Sequence, residues 1–394
     1  MISLKEAKEL VLANAASFGT ETQLLDASVG RVLTEQIVAD RDYPPFNRSA
    51  MDGYAIRFED WKDGVTDFIL VETIYAGRIS EKNITKGECY KIMTGAAVPN
   101  AANVVIRKED AIEENGRIRF NVSSIELNQS ISLQGQDLKD KQLIYPEPTR
   151  INAADTMLLA AVGKYEVLVQ KLPKVAIITT GDEVVSVEDA VNSVQIRNSN
   201  KHVLKALLKK YQIEPLMNVH IGDDKTKLES AIVNSLHADI IIINGGVSAG
   251  DADYVPDVLN QSGFNQLFHK VAIKPGKPIW FGKKINGPVV FALPGNPFSC
   301  MVTFTLFIEP FLCRCFGIPT TQPLHFPLKG VRHKNSSLDE FFPVKIREVP
   351  SVLIPLHFNS SGDITAALAA DGIAHHQAEN LSLTDGDIVP CFLL

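Results

Sequence analysis

The sequence has few cysteines and no long run of apolar residues. Its cysteines are too few and too scattered to predict a disulfide framework or a zinc site: Cys89, Cys300, Cys313, Cys315 and Cys391. No apolar run approaches the ~20 residues that cross a membrane, and the N-terminus carries charges at helical spacing instead of the apolar core of a signal peptide. These absences predict a cytoplasmic protein that does not bind or cross a membrane.

The sequence also lacks a strong excess of either charge. A formal net charge of -7 over 394 residues argues against general binding to nucleic acids or to acidic membranes. An anionic substrate would therefore need a local cationic patch or a metal ion. Hydrophobic residues make up 45% of the chain and charged residues 22%, which is typical of an ordered globular protein. The length predicts about two to four domains.

The central motif is a run of isoleucines that ends in a glycine-rich loop. Residues 240–243 are all isoleucine, as expected for a buried strand, and residues 254–261 are predicted to form a helix. Three glycines lie between them: Gly245, Gly246 and Gly250. A simple tight turn would fit these glycines, and so would a phosphate site, since glycine lets the backbone approach a ligand. Asp251 and Asp253 would repel a phosphate, so they predict a hard cation such as Mg²⁺ beside it.

Strands and helices alternate through residues 174–317. This alternation predicts a mostly parallel, doubly wound sheet, and such sheets bind ligands beyond the carboxyl ends of their strands. Polar residues follow several of the predicted strands: Asp182, Glu183 and Asp223, together with the Gly245 loop and Lys274. We therefore expect these residues to lie at one edge of the sheet.

The predicted fold class is multidomain, α/β plus β. Helical spacing on both sides of a β-rich stretch predicts a β domain inserted into a helical one, with helices at residues 4–16 and around residues 24–38. Frequent prolines and short strand patterns after Gly317 predict a second β domain. The predicted parts are a helical or linker domain (1–45 and 145–172), an inserted β domain (46–144), an α/β domain (173–318) and a small C-terminal β domain (319–394).

Several polar residues of the N-terminal half lie in loops that fit either an ordinary surface turn or a ligand site. Prolines and glycines fix the backbone of such loops in both cases, so spacing alone does not separate the two interpretations. The residues are Arg41, Arg48 and Asp52 around a proline pair, Thr94 before a glycine, and Asp137 two positions after a glycine.

Three lysines cluster in the segment HKVAIKPGKP: Lys270, Lys274 and Lys277. Alternation along an extended chain predicts that Lys270 and Lys274 share one side. Two ammonium groups beside carboxylates suit a reaction between anions, with Mg²⁺ bridging phosphate oxygens. Solvated surface lysines are the alternative. The nine histidines are dispersed and predict no metal site or catalytic pairing.

Seven motifs, taken in order, resemble one known family. They are SAMDGYAI, IMTGAAVP, TTGDE, IRNSN, INGGVSAGDADY, KVAIKPGKP and ALPGNPFS. They span nearly the whole chain and resemble the MoeA-type molybdopterin molybdenumtransferases and the related E domain of gephyrin. The resemblance implies an elongated homodimer whose cleft uses both chains. It also implies a Mg²⁺-dependent reaction in which adenylylated molybdopterin and molybdate give AMP and a dithiolene-bound molybdenum, with transient contacts to the adenylyltransferase and to molybdoenzyme-maturation proteins.

The resemblance also implies roles for particular residues. The implied catalytic residues are Asp52, Thr94 and Asp137 from the inserted domain, and Glu183, Asp223, Asp253, Lys270 and Lys274 from the α/β domain. Glu183, Asp223 and Asp253 are the implied Mg²⁺ ligands, and the two lysines would hold molybdate or phosphate. The implied substrate-binding residues are Thr180, Gly181, Ser199, Asn200, Gly245, Gly246, Ser248, Gly250, Lys277, Pro294 and Pro297.

Departures from the family pattern bear on activity. Gln134 and Gln136 stand where relatives commonly carry charged residues, and Asn198 stands where an aspartate is common. The loss of an arginine at an anion site would weaken binding by about 1.5–3 kcal/mol. A binding or scaffold protein that has lost catalysis is therefore one alternative. The adenylyltransferase that makes the adenylylated intermediate is another, but the flanking domains and the Asp-x-Asp after the glycine loop argue against it.

Overall fold

The computed structural model of this chain describes residues 1–146, 148–248 and 254–394. Within these residues the chain forms two compact units. The first contains Met1–Thr34, Pro148–Ala153 and Glu166–Leu394, and the second contains Glu35–Glu147 and Ala154–Tyr165. The predicted inserted β domain, residues 46–144, lies within the second unit. The finer division into four domains stays a prediction.

A six-stranded sheet lies in the first unit. In chain order its strands are β1 (Val175–Thr180), β2 (Met217–Ile221), β3 (Ile240–Asn244), β4 (Phe264–His269), β5 (Trp280–Lys284) and β6 (Val289–Leu293). They lie side by side in the order β2, β1, β3, β6, β5, β4. The first four are parallel, and β5 and β4 continue the sheet in antiparallel pairing. The prediction of a mostly parallel sheet is therefore confirmed.

Helices cover both faces of this sheet, as the predicted doubly wound arrangement requires. Ile242 lies opposite Ile177 and Phe291 in the neighbouring strands, and all three side chains are buried in the core on one face. Ile241 is buried in the core on the other face. A strand between two apolar cores has no solvent-facing side, so isoleucine suits every position of residues 240–243. The covering helices are Leu4–Ala13, Ser199–Lys209 and Pro297–Thr303 on one face, and Lys225–Asn234 and Val255–Gln261 on the other.

One helix of the described chain is long and apolar enough to cross a membrane, but it is mostly buried in the core. It runs over Pro297–Cys315, and 78% of its most apolar window is buried inside the protein. It begins as the regular helix Pro297–Thr303, passes through a π-helical turn at Phe304–Ile308 and ends as Glu309–Cys315. Because Pro310 has no N–H, regular bonding cannot continue through it, which accounts for the π-helical turn.

The chain forms strands and a short turn where the sequence predicted a second helix. The elements are the strand Thr20–Leu24, which pairs with Glu166–Gln170, the 3₁₀ turn Leu25–Ala27, and the strand Val32–Leu33, which pairs with Thr149–Arg150. The prediction of a helix around residues 24–38 is wrong. Gly30 adopts a left-handed φ of +83°, and a Cβ there would lie 2.7 Å from the Gln212 side-chain nitrogen. The chain turns at this glycine instead of continuing as a helix.

A second sheet forms the C-terminal part of the first unit, as predicted. In spatial order its strands are Ile273–Lys274, Asp339–Glu348, Gly372–His376, Ile388–Leu393 and Leu324–Pro327, and Ser351–Pro355 pairs with Asp339–Glu348. Arg332–His333 and Ser382–Leu383 form a separate pair. Phe341 belongs to the core shared with the six-stranded sheet, and its neighbour Phe342 belongs to a separate core. Strand alternation thus gives this sheet two apolar faces.

The second unit is built on another six-stranded sheet. In spatial order its strands are Val104–Arg107, Gly53–Ile56, Glu88–Ile92, Asp67–Ile74, Arg117–Phe120 and Ala111–Glu114. Two short strand pairs join Arg48–Ser49 to Ile131–Ser132 and Ile37–Val38 to Leu143–Tyr145. The unit also contains the helix Phe58–Lys62 and the helix Ala153–Ala161, whose first residue belongs to the first unit. Tyr90 and Phe68 are fully buried in two separate cores. The alternating patterns in this stretch predicted strands correctly.

His376 is a buried histidine in the C-terminal sheet of the first unit. Its Nδ1 lies 2.7 Å from Arg332 Nη1, and Arg332 Nη2 also donates to the buried Glu340 carboxylate at 2.6 Å. A guanidinium only donates, so Nδ1 must accept, and the neutral imidazole is the form that fits. Burial, together with the positive charges of Arg332 and Lys334, lowers the pKa of His376 to about 4.

We expect this imidazole to make the protein less stable in mild acid. An unfolded histidine has a pKa of about 6.5, so between pH 6.5 and about 4 the unfolded chain binds a proton that the folded chain does not. The stability that is present above this window is lost as the pH falls through it, at about 1.4 kcal/mol per pH unit. His376→Gln keeps an acceptor for Arg332 and should reduce the loss between about pH 7 and pH 5 by about 2 kcal/mol in urea unfolding.

The matched control for this prediction is His325→Gln, because His325 is exposed. The control should retain the pH dependence of the wild type. If His376→Gln lost stability with acid as steeply as the wild type, His376 would not be the group that titrates.

Candidate active site

A cavity of about 830 Å³ lies beyond the carboxyl ends of the four parallel strands in the first unit. β1 ends at Thr180, β2 at Ile221, β3 at Asn244 and β6 at Leu293, and residues that follow each of these ends line the cavity. Parallel strands send their connecting loops out at the same edge, so side chains from distant parts of the sequence converge there. The edge predicted from the sequence is the edge that carries this cavity.

Most of the predicted α/β-domain residues line the cavity. Those that do are Thr180, Gly181, Glu183, Ser199, Asn200, Asp223, Gly245, Gly246, Ser248, Pro294 and Pro297. Three others lie outside the described residues: Gly250, Asp251 and Asp253. Lys270, Lys274 and Lys277 are not among the described residues that line the cavity.

Asn244, at the end of β3, joins three chain segments through its side chain. Its Nδ2 donates to Pro294 O at 2.8 Å, and its Oδ1 accepts from Asn200 Nδ2 at 2.8 Å. The same Asn200 group also donates to Gly295 O at 2.5 Å. Asn244 is only 3% exposed, so these bonds fix the end of β3, the loop after β6 and the start of a helix relative to one another. Asn244 was missed at the sequence level, although a polar residue directly after four isoleucines was a usable signal.

Asn198 holds the start of the helix Ser199–Lys209 against β1. Its Nδ2 donates to Thr179 Oγ1 at 2.8 Å, and its Oδ1 caps the helix by accepting from Lys201 N at 3.0 Å. An asparagine can donate one bond and accept the other, whereas an ionised aspartate only accepts. The departure from the aspartate that is common in relatives therefore leaves the local structure intact.

The Gly245-Gly246 turn packs tightly against the end of β1. Both glycines have left-handed φ values, +99° and +64°. A Cβ on Gly245 would lie 2.6 Å from Thr180 Oγ1, so no side chain fits there. Thr180 Oγ1 and Asn200 Oδ1 are buried atoms with no hydrogen-bond partner in the part of the chain that the structure describes. Because buried polar atoms are rarely left unpaired, these two oxygens fit hydrogen-bonding groups of a ligand in the cavity.

Carboxylates lie at two of the strand ends. Asp182 Oδ1 accepts from Asp223 N at 2.9 Å, and Asp223 Oδ2 accepts from Asp182 N at 3.4 Å, which ties the loops after β1 and β2 together. Glu183 folds over Gly181, where a Cβ would lie 2.8 Å from Glu183 Oε2. Among the described residues, no three His, Cys, Asp or Glu side chains form a metal-binding group. Mg²⁺ commonly takes only one or two carboxylates with waters and substrate phosphates, so Glu183 and Asp223 fit such an ion.

Two family models match the chain. The MoeA N-terminal region (domain I and II) matches residues 2–163, and a probable molybdopterin binding domain matches residues 176–314. The chain is 33% identical to the molybdopterin molybdenumtransferase of Staphylococcus epidermidis over 100% of this chain and 95% of the relative, and 31% identical to that of Synechocystis over 100% of both chains. The molybdopterin biosynthesis moeA protein of Pyrococcus horikoshii has a similar structure, with a TM-score of 0.86 and 27% identity over 100% of both chains. The chain belongs to the molybdopterin molybdenumtransferase family.

The family match spans most of the cavity. The region that resembles a molybdopterin binding domain contains β2 to β6 and all but the first residue of β1. The loops that follow the four parallel strands therefore lie within it. Gly362 and Ile364 also line the cavity but lie beyond this region, in the C-terminal part of the first unit. The motifs that carried the family resemblance gave no signal for these two residues.

The two lysines that the family implies as catalytic lie in different settings. Lys270 directly follows β4 and has a left-handed φ of 70°, so the chain bends there. The prediction of one extended chain through Lys270 and Lys274 is therefore wrong, and whether the two lysines share one side stays a prediction. Lys274 lies in the strand Ile273–Lys274, and its Nζ is 3.3 Å from the buried Glu340 carboxylate. This pairing offsets part of the charge that Lys274 could offer to an anion.

Two other implied residues of the family, Asp52 and Thr94, lie together in the second unit. Asp52 Oδ1 accepts from Thr94 N at 2.8 Å and from Thr94 Oγ1 at 2.7 Å. These bonds, with a smaller effect of Lys108, lower the pKa of the Asp52 carboxyl, so the group is ionised at neutral pH. The structure therefore brings these two residues, 42 positions apart in the sequence, into contact.

Asp137 lies in an exposed loop of the second unit, beside the two glutamines that depart from the family pattern. Gln134 Nε2 donates to Asp42 Oδ2 at 3.1 Å, and Gln136 Oε1 accepts from Leu133 N at 2.9 Å. Both glutamines thus form hydrogen bonds that shape the loop itself. A guanidinium at position 134 could also donate to Asp42, and a carboxylate at position 136 could also accept from Leu133 N, so these two bonds do not require uncharged side chains.

Proposed function

We propose that this protein inserts molybdenum into molybdopterin, with adenylylated molybdopterin and molybdate as its substrates and AMP as a product. The observation that carries the proposal is the cavity of about 830 Å³ at the strand ends, which lies largely in the region that resembles a molybdopterin binding domain. Its volume is in the range of small-molecule sites. Relatives named molybdopterin molybdenumtransferase match the whole chain, so both units belong to the proposed enzyme.

The proposed substrate lies with its phosphates against the glycine turn. Backbone N–H groups of Gly246 and Ser248 would contact the phosphate oxygens. Gly245 N donates to Leu293 O at 3.1 Å, so Gly245 would serve by letting the backbone approach the ligand without a side chain. Thr180 Oγ1 and Asn200 Oδ1 would pair with N–H or O–H groups of the pterin. The remaining proposed contacts are Gly181, Ser199, Gly250, Lys277, Pro294 and Pro297.

Glu183 and Asp223 are the proposed Mg²⁺ ligands among the described residues, and Asp253 keeps the same proposed role outside them. Bound Mg²⁺ would supply positive charge where the phosphoanhydride bond breaks. Glu183 and Asp223 lie at adjacent strand ends, and the bond from Asp223 N to Asp182 Oδ1 holds the second of them in place. Lys270 and Lys274 keep their proposed role of holding molybdate or phosphate.

The proposed assembly is a cytoplasmic homodimer in which Asp52, Thr94 and Asp137 of one copy serve the cleft of the other. The hydrogen bonds from Thr94 support this role for Asp52, because they hold an ionised carboxylate in a fixed position before any substrate binds. Transient contacts with the adenylyltransferase and with molybdoenzyme-maturation proteins would deliver the substrate and accept the product.

The test is AMP release by the purified protein given adenylylated molybdopterin and Mg²⁺, with and without molybdate. Molybdate-dependent release would support metal insertion. Binding of adenylylated molybdopterin without AMP release would instead favour a scaffold of the same fold, for which the two glutamines beside Asp137 are the motivating feature. Consumption of ATP with molybdopterin as acceptor would favour the adenylyltransferase.

A further inference from the structure

The described residues that line the cavity carry more negative charge than positive charge. Among the described residues that line the cavity, the carboxylates are Glu183 and Asp223, and the one cation is Arg197. Two carboxylates close to a phosphate raise its free energy of binding, and a guanidinium offsets part of that repulsion. The lysines that the family resemblance suggested for anion binding do not appear among the described lining residues.

Arg197 is held at the cavity by its backbone. It lies in the two-residue strand Ile196–Arg197, which pairs in parallel with Val184–Val185. Ile196 N donates to Glu183 O at 2.8 Å, and Asn198 N donates to Val185 O at 2.8 Å. The residue after Arg197 is the buried cap Asn198, so the position of Arg197 relative to the helix start is fixed on both sides.

The guanidinium of Arg197 is available to a ligand. Its recorded contact is a long one, 3.4 Å from Nη2 to the Asp189 carbonyl, and no carboxylate of the described chain forms an ion pair with it. The helix Ser199–Lys209 that follows adds backbone N–H donors, which also attract an anion. First-turn N–H groups have no acceptor within their helix. The side chain of Asn198 accepts from the N–H group of Lys201. The N–H groups of Ser199 and Asn200 remain beside the cavity.

We propose that Arg197 binds a phosphate group of the substrate in this cavity. The proposal rests on the proposed function and assigns to Arg197 a role that the motif comparison did not give it. A guanidinium presents two parallel N–H donors to a phosphate, which gives both charge and orientation. The phosphate can be that of the AMP half or that of the pterin half of adenylylated molybdopterin, and separate binding measurements distinguish these two sources.

The experiment compares Arg197→Gln, Arg197→Lys and Arg347→Gln in the full-length protein. Arg347 is an exposed arginine on the strand Asp339–Glu348 and does not line the cavity, so it controls for a general loss of positive charge. Binding of AMP, adenosine and molybdopterin is measured separately by calorimetry at one ionic strength. Arg197→Gln should weaken the binding of AMP or of molybdopterin about tenfold, Arg197→Lys should restore part of it, and Arg347→Gln should leave it unchanged.

Adenosine separates phosphate binding from a structural role. It has no phosphate, so its affinity should be the same in Arg197→Gln and the wild type if Arg197 contacts phosphate. Equal weakening of adenosine and AMP would mean that Arg197 only shapes the loop, and unchanged binding of both AMP and molybdopterin would remove it from the site. Neither result would bear on AMP release by the wild type, which tests the proposed function separately. A wild type that binds neither AMP nor molybdopterin would overturn this proposal and the proposed function together.

Discussion

Replacing Glu183 by glutamine is expected to lower the rate of AMP release about 100-fold or more. The substitution keeps the size of the side chain but removes the charge that would hold Mg²⁺ at the cavity. The carbonyl of Glu183 accepts a hydrogen bond from Ile196 N at 2.8 Å, so the backbone at this position is fixed independently of the carboxylate. The measurement is single-turnover AMP release over a series of Mg²⁺ concentrations, in which the defect should shrink as Mg²⁺ rises.

The binding of AMP without Mg²⁺ should respond in the opposite direction. Because Glu183→Gln removes a negative charge from the cavity, AMP should bind to the variant as tightly as to the wild type or more tightly. Glu188→Gln is the matched control, since Glu188 is exposed in the same loop and does not line the cavity. Normal AMP release by Glu183→Gln, or a parallel loss of AMP binding and release, would argue that Glu183 is no Mg²⁺ ligand.

The fold was predictable where one local pattern has one structural solution. Four consecutive isoleucines at residues 240–243 suit a strand buried on both faces, and β3 is such a strand. The failures occurred where a single backbone torsion decides the path of the chain. Gly30 and Lys270 both adopt positive φ, and neither the helix predicted around residues 24–38 nor the extended chain through Lys270 survives such a turn.

The location of the site was predictable from topology, but its internal bonding was not. Residues after strand ends must converge at one edge of a parallel sheet, so Glu183 and Asp223 could be placed there before any coordinates. The hydrogen bonds of the Asn244 side chain could not be predicted. Its partners lie 44 and 50 positions away in the sequence, and the bonds form only where three chain segments meet. Arg197 lies in the motif IRNSN, but the motif did not suggest a phosphate contact for it. That proposal depends on the structure, in which Arg197 is the one cation among the described residues that line the cavity.

Replacing Gly245 by alanine is expected to destabilise the first unit by about 3 kcal/mol and to abolish substrate binding. The φ of +99° at this position is unfavourable for any residue with a Cβ, and that Cβ would lie 2.6 Å from Thr180 Oγ1 and 2.9 Å from Thr180 O. The hydroxyl could rotate away, but the carbonyl belongs to the end of β1 and cannot move without shifting the strand. Urea unfolding and AMP binding measure the two effects.

Two further variants separate the causes of this loss. Gly19→Ala introduces a Cβ at a similar φ of +91° with no atom within 4 Å, so it should show the torsional cost alone, about 1–2 kcal/mol. Thr180→Ala in the Gly245→Ala background removes the contact with Oγ1 but keeps the contact with the carbonyl, so it should restore only part of the stability. If Gly245→Ala were no less stable than Gly19→Ala and still bound AMP, the turn would tolerate a side chain. The backbone of Gly245 would then not approach a ligand closely, and the phosphate contact assigned to this turn would have to be abandoned.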